Sequence, residues 1–300
     1  MGTRQTPQRA SAPAMATNMA SEAASDAAPD RYFSNFAAAL RYWRNKRGYS
    51  QLRLSVESAI SQRHISFLES GRSQPSRELI LKLGTVLDIP LRQRNVMLLA
   101  AGFAAAYQER KLSDPELQAV KQALDFMLAQ QAPYPALVVD RLWNLVMTNG
   151  PAAMMMKWLL DMSDAQPLPR EGVNVLKLML DPTGVRKYLV NWQEVCADLL
   201  HWIQREAMGD GPGSEATHLL QELTALPGIK AATAMPQTPN LDLRALPFLP
   251  LTLRKDGVEL KLFTSITTLG TPHDVTVHEL RVESFFPADA ATADWFKSRA

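Results

Sequence analysis

Ser61, Gln62 and Arg63 open a short segment whose side chains are suited to reading hydrogen-bonding edges. A Gln amide sets a donor beside an acceptor, and an Arg guanidinium presents a fork of donors, so each can make two parallel hydrogen bonds to one planar target. The spacing from Ser50 to Glu78 is that of two short helices joined by a tight turn, with Ser50 placed to cap the first and Ser61 the second. The second helix has an apolar side (Ile65, Leu68) and a polar side (Gln62, Arg63, Ser66). A short polar-faced helix held at an angle on an apolar base fits the major groove of double-stranded DNA, where Gln pairs with adenine and Arg with guanine. Gln51, in the first turn of the preceding helix, is placed to touch a phosphate and brace its neighbour. Arg72, Ser73 and Gln74 follow the second helix and suit phosphate contacts, which position a protein without reading sequence.

Catalytic chemistry finds little in the chain, and an enzyme is not expected. The five histidines (His64, His201, His218, His273 and His278) are scattered, without the spacing of a metal site. His64 reads as a helix-surface residue. No G-x-S-x-G elbow occurs, and the run Gly209–Gly213 lacks the Lys-Ser/Thr that completes a phosphate cradle, so it reads as a loop. No metal and no cofactor is expected. The single cysteine, Cys196, lies in a helical pattern beside Val195 and Leu199 and reads as a buried thiol. One cysteine excludes an internal disulfide and fits a reducing, cytoplasmic setting. No apolar run approaches the roughly 20 residues that span a bilayer, so no membrane partner is expected.

The elements that must position these residues divide the chain by charge. Residues 31–111 carry 14 Lys/Arg against 5 Asp/Glu, a net of +9, whereas residues 112–300 carry 16 against 22, a net of −6. A basic module joined to an acidic one confines contact with phosphate backbones to the first. Residues 1–30, rich in Ala, Ser, Thr and Pro, read as a disordered tail, within which Met15 or Met19 are alternative starts. The basic module, 31–111, reads as five helices opening near Tyr32, with Phe36, Leu40 and Trp43 at helical spacing and Gly48 ending the first helix. The second module, 112–296, begins near Ser113-Asp114-Pro115 and reads as α+β. A β-hairpin is expected over Ala136–Thr148, then helices around Ala152–Leu160, Val175–Leu180, Tyr188–Met208 and Glu215–Leu226, a long loop from Pro227 to Pro247, and strands over Leu249–Arg254, Glu259–Thr268 and Val275–Phe286. The expected sheet is antiparallel with about five strands, and Asp256-Gly257 suits one of its turns.

Ser50-Gln51, Ile60-Ser61-Gln62, Ile65-Ser66, Leu68-Glu69, Gly71 and Pro75 together resemble the repressor-type (XRE, or Cro/C1-type) helix-turn-helix family, over about a quarter of the chain. The resemblance implies that Glu69 pairs with Arg44 in a structural ion pair. It also implies that Phe67 faces the groove, against a thymine methyl, unless it folds back onto its own domain. Ala59 stands where that family usually has Gly, and so must accept a left-handed backbone or alter the turn. Tyr134–Asp140, Trp143-Asn144, Asn191-Trp192, Thr267–Pro272 and Ser284–Asp289 resemble the ligand-binding domain of MmyB-like bacterial transcription regulators, which has a PAS-like architecture.

Together the two resemblances imply a cytoplasmic, nucleoid-associated transcription regulator. It would bind a pseudo-palindromic operator as a homodimer and sense a small apolar or acyl-chain-like effector. Trp143, Met147, Met155 and Trp158 are candidates to line such a pocket, as are Leu176, Met179, Trp192 and Phe263, although Trp and Met at helical spacing also serve as plain core. The alternative is a ligand-free C-terminal domain that dimerises or recruits a protein.

Overall fold

The computed structural model describes residues 35–163, 165–168, 172–210, 214–234 and 251–299. The tail of residues 1–30, Tyr32, residues 235–250 of the expected loop, the start of the expected Leu249–Arg254 strand and Gly211–Gly213 lie outside them.

Five helices form the N-terminal part: α1 (Phe36–Lys46), α2 (Gln51–Ser58), α3 (Gln62–Glu69), α4 (Arg77–Val86) and α5 (Leu91–Ala100). Side-chain caps start the first four, from Asn35, Ser50, Ser61 and Ser76, each accepting a backbone N–H three residues on. On α1, Phe36, Ala39, Leu40 and Trp43 form one buried stripe, meeting Leu54, Ile65, Leu68, Ile80 and Leu83 from the helices around it. The α2–α3 turn is made by Ala59 at φ 51° and ψ 39°, in the left-handed region. An L-residue pays for that conformation whereas Gly does not. Ala59→Gly is therefore expected to raise stability by about 0.5–1 kcal/mol, after allowing for Gly's freer unfolded chain. A rise in urea midpoint at constant m-value would show it, and an unchanged or lower midpoint would contradict it.

The C-terminal part is α+β. A 3₁₀ turn (Pro115–Leu117) leads into α6 (Gln118–Gln130), followed by strands β1 (Ala136–Val139) and β2 (Leu145–Thr148). Helices α7 (Gly150–Leu159), α8 (Val175–Leu180), α9 (Trp192–Asp210), α10 (Glu215–Ala225) and α11 (Ile229–Ala234) come next. The chain then returns as β3 (Leu251–Lys255), β4 (Val258–Thr268), α12 (Val275–Glu279), β5 (Arg281–Pro287) and α13 (Ala290–Lys297). The five strands form one antiparallel sheet in the order β2-β1-β5-β4-β3. Asp256 (φ 50°) and Gly257 (φ 76°) make the left-handed two-residue turn between β3 and β4.

Strand β1 is buried on both faces. Ala136 and Val138 pack with Val282, Leu280 and the α6 residues Leu124 and Leu128, while Leu137 and Val139 join the larger core under α7–α11. In β4, Leu260 and Leu262 point into that larger core and Lys261 points to solvent, the alternation of a half-buried strand.

Three local expectations are corrected. Val275–Phe286 is not one strand: Val275–Glu279 is helical, because Asp274 accepts from the backbone N–H groups of Thr276 and Val277 and caps a turn that buries Val275 and Val277. The expected loop from Pro227 holds α11, whose Ile229 is fully buried against the larger core. The helix expected from Tyr188 is broken. Val185–Tyr188 is a 3₁₀ turn, and Leu189 bridges to Leu253 before α9 begins.

Candidate functional site

The first turn of α3 lies at the surface, with Ser61, Gln62 and Arg63 exposed. Ile65, Leu68 and Glu69 on its other side are buried. The Ser61 hydroxyl accepts from the His64 N–H (3.2 Å), so this side chain is used for capping and leaves Gln62 and Arg63 as the free polar groups of the turn. The Arg63 guanidinium lies over the Phe67 ring at 5.2 Å, and Phe67 is half-buried. Ser66 is half-buried beside it, and Arg72 and Gln74 are exposed beyond the helix end. Ser73 is half-buried and lies 3.3 Å from His64 Nε2, so that histidine is tied into the fold.

Glu69 holds this assembly together. Its carboxylate is only 2% exposed and accepts from Arg44 Nε at 2.5 Å, Arg44 Nη2 at 3.0 Å and Gln51 Nε2 at 2.9 Å. Arg44 also donates to the Tyr49 carbonyl (2.8 Å), and Arg41 to the Glu69 carbonyl (2.9 Å). α1, α2 and α3 thus converge on one carboxylate. The Gln51 amide N–H is committed to Glu69, so the residue acts here as a brace.

The C-terminal sheet and helices line a partly open cavity of about 210 Å³. Of the eight pocket candidates, Trp143, Leu176 and Met179 line it. The others lie elsewhere, each claimed by a different neighbour. Met147 packs on the α6 face of the sheet, and Met155 is core. Trp158 rests against Trp295, Trp192 lies under the Arg186 guanidinium at 3.7 Å, and Phe263 stacks on Phe286. Apolar type alone did not separate the lining from the packing.

Sequence reasoning missed the apolar lining residues Val175, Val195, Leu199, Leu251 and Phe285 and three polar ones: Glu283 on β5, Thr264 on β4 and Asp198 on α9. Glu283 is 6% exposed, and burial pushes its carboxyl up to about 7, against a smaller opposing effect of the hydrogen bond from Thr264. A Glu two residues before Phe285, and so on the same face of the strand as that apolar ring, was the available signal. Trp143, on the same wall, sits at φ 64° in the hairpin turn, where a bulky residue is strained. Backbone bonds hold it, from its N–H to Asp140 (3.0 Å) and from Val175 to its carbonyl (2.9 Å). Its indole N–H is buried without an acceptor.

Ion pairs join the two parts of the chain. Arg92 on α5 donates to Glu279 on α12 (2.8 and 2.9 Å) and to Glu109. Arg110 pairs with Asp274 at 3.0 Å, and within the C-terminal part Arg141 approaches the same Glu279 at 3.6 Å. Tyr42 on α1 donates to the Met208 carbonyl. A cleft of about 1030 Å³ opens beside these contacts.

Residues 40–93 match a helix-turn-helix family, and residues 120–298 match the MmyB-like transcription regulator ligand binding domain. The chain belongs to the MmyB-like transcription regulators. No curated protein matches it. The regulator therefore combines a DNA-binding helix-turn-helix with an effector-type domain, and both matched families are regulatory rather than catalytic. Among the described residues, no helix is long and apolar enough to cross a membrane.

Proposed function

We propose that this regulator reads a pseudo-palindromic operator as a homodimer through Gln62, Arg63, Ser66 and Phe67, with Arg72, Ser73 and Gln74 on the flanking phosphates. The observation that carries the reading is the pair Gln62–Arg63, exposed at the start of a helix whose opposite side is locked by Glu69. One such helix spans only a few base pairs, and two-fold pairing doubles the site, with half-sites about one helical turn apart. The target is cytoplasmic, nucleoid-associated DNA, and no catalytic step is assigned.

The C-terminal domain, in the same reading, holds a small effector in the 210 Å³ cavity. β5 supports a route from effector to operator. Glu283 lines the cavity, and Glu279, four residues earlier and two residues before the strand, is the partner of Arg92 on α5. Displacing β5 on ligand binding shifts the ion pairs that hold the DNA-binding part, a coupling typically worth about 1–3 kcal/mol. A domain that served only to dimerise or recruit protein would need no such cavity.

Selection from a random duplex library tests the DNA reading. An enriched inverted repeat is the expected product, and a library with no enrichment would remove sequence-specific binding. On the selected operator, Arg63→Ala is expected to cost about 1–3 kcal/mol while sparing affinity for random DNA. Arg72→Ala is expected to weaken both equally and to lower the salt slope by about one unit. Equal losses on both DNAs for Arg63→Ala would take Arg63 out of the base readout.

A further inference from the structure

We propose that the cavity between β5 and α9 takes a small organic cation, an amine on an apolar body, with the Glu283 carboxylate as its counter-ion. This rests on the reading of that cavity as the effector site.

The walls favour an apolar body. Leu176, Met179, Val195 and Phe285 are among the apolar residues lining it, in a volume somewhat larger than the roughly 150 Å³ that accommodates a benzene ring. The polar end is acidic. Glu283 faces the space from the sheet and Asp198 from α9, and no Lys, Arg or His is among the described residues lining it. Two cations close in sequence to lining residues are committed elsewhere. Arg281, two residues before Glu283, binds Glu206 (3.1 Å) and the Glu279 carbonyl (3.0 Å). Lys177 on α8 faces outward to Glu222 at 2.5 Å. Thr264, from β4, adds a hydrogen bond to Glu283 and no charge.

A buried carboxyl is stable when neutral or when paired with a cation. An anionic ligand would meet two acids with nothing to balance them, and a purely apolar one would leave Glu283 no use. An ammonium group completes the pair, and the Trp143 ring in the same wall attracts a cation through its π face.

Binding then requires Glu283 to give up its proton, which it holds up to about pH 7 when the cavity is empty. Amine affinity is expected to fall about tenfold per pH unit below that value, and binding near neutral pH is expected to release a proton.

Titration calorimetry of the full chain with phenethylamine, phenethyl alcohol and phenylacetate tests this. The expected result is one phenethylamine per chain, bound about tenfold or more tighter than the alcohol, with phenylacetate weakest. Glu283→Gln, an isostere of the neutral acid, is expected to abolish the preference for the amine while keeping the alcohol. Asp198→Asn, at an exposed position where solvent screens the charge, is expected to reduce the preference less than Glu283→Gln does. An amine preference that survives Glu283→Gln, or phenylacetate binding as tightly as the amine, overturns the proposal. Met179→Trp, which fills the space, separates the two layers of inference. If the alcohol or phenylacetate binds wild type without an amine preference and Met179→Trp abolishes it, the effector cavity stands and the amine assignment falls. If none of the three binds, both fall.

Discussion

Glu69→Ala is expected to destabilise the helix-turn-helix by about 3–5 kcal/mol, because it strips the partner from a guanidinium that is itself largely buried. Arg44 is 12% exposed and makes two of its hydrogen bonds to this one carboxylate, and Gln51 makes a third contact to it. In the variant, Arg44 keeps its bond to the Tyr49 carbonyl and loses its counter-charge. Denaturant unfolding followed by far-UV circular dichroism measures the loss. Because α1, α2 and α3 all meet at this carboxylate, operator binding is expected to fall along with stability. A loss under about 1 kcal/mol would mean that the pair is solvated like an ordinary surface salt bridge and that its bidentate geometry counts for little. Glu69→Gln is expected to be milder, since it keeps one acceptor for the Arg44 fork.

The second large effect is a pH dependence of stability centred on Glu283. In the folded chain its carboxyl keeps its proton up to about pH 7, against an ordinary value of 4.5 once unfolded. Between those limits the unfolded state holds fewer protons than the folded one. Stability from this residue is therefore fully present below about pH 4.5 and is lost as pH rises through 7, a change of up to roughly 3 kcal/mol. Glu283→Gln removes the titration while keeping the shape of the neutral acid. Wild type and variant are expected to melt at similar temperatures near pH 5, with the variant melting higher near pH 8. A gap of the same size at both pH values would show that Glu283 does not titrate in this window. Adding an amine that occupies the cavity is expected to close the gap at pH 8, since the cation compensates the carboxylate that the empty cavity leaves alone.

Much of the N-terminal part was legible because its signals are local. Capping serines, the apolar stripe of α1 and the side-to-side split of α3 follow from spacing of three and four residues, which a helix turns directly into faces. The turn at Ala59 was legible only through the resemblance, which usually has Gly there; the structure puts Ala59 in the left-handed region. The C-terminal part was legible as the β-branched and aromatic content of β1 and β2, the alternation of β4 and the Asp256-Gly257 turn. Legibility failed where a short capped turn competed with strand propensity. Val275 and Val277 are β-branched and alternate, yet the Asp274 side chain satisfies two N–H groups and makes the segment helical.

The sequence by itself determined the fold class, the helix that presents Gln62 and Arg63, and the separation into a basic and an acidic module, all from residue types and short spacings. Only the tertiary structure decided which apolar side chains border a void and which fill the core. Trp143 and Trp158 are the same residue type, yet one lines the cavity and the other packs on Trp295. Only the tertiary structure, likewise, brought Glu283 to the cavity from more than a hundred residues away from Trp143 and set Glu279 against Arg92. Burial and pairing are sums over neighbours distant in sequence, and those sums set the protonation of a carboxyl and its chemistry.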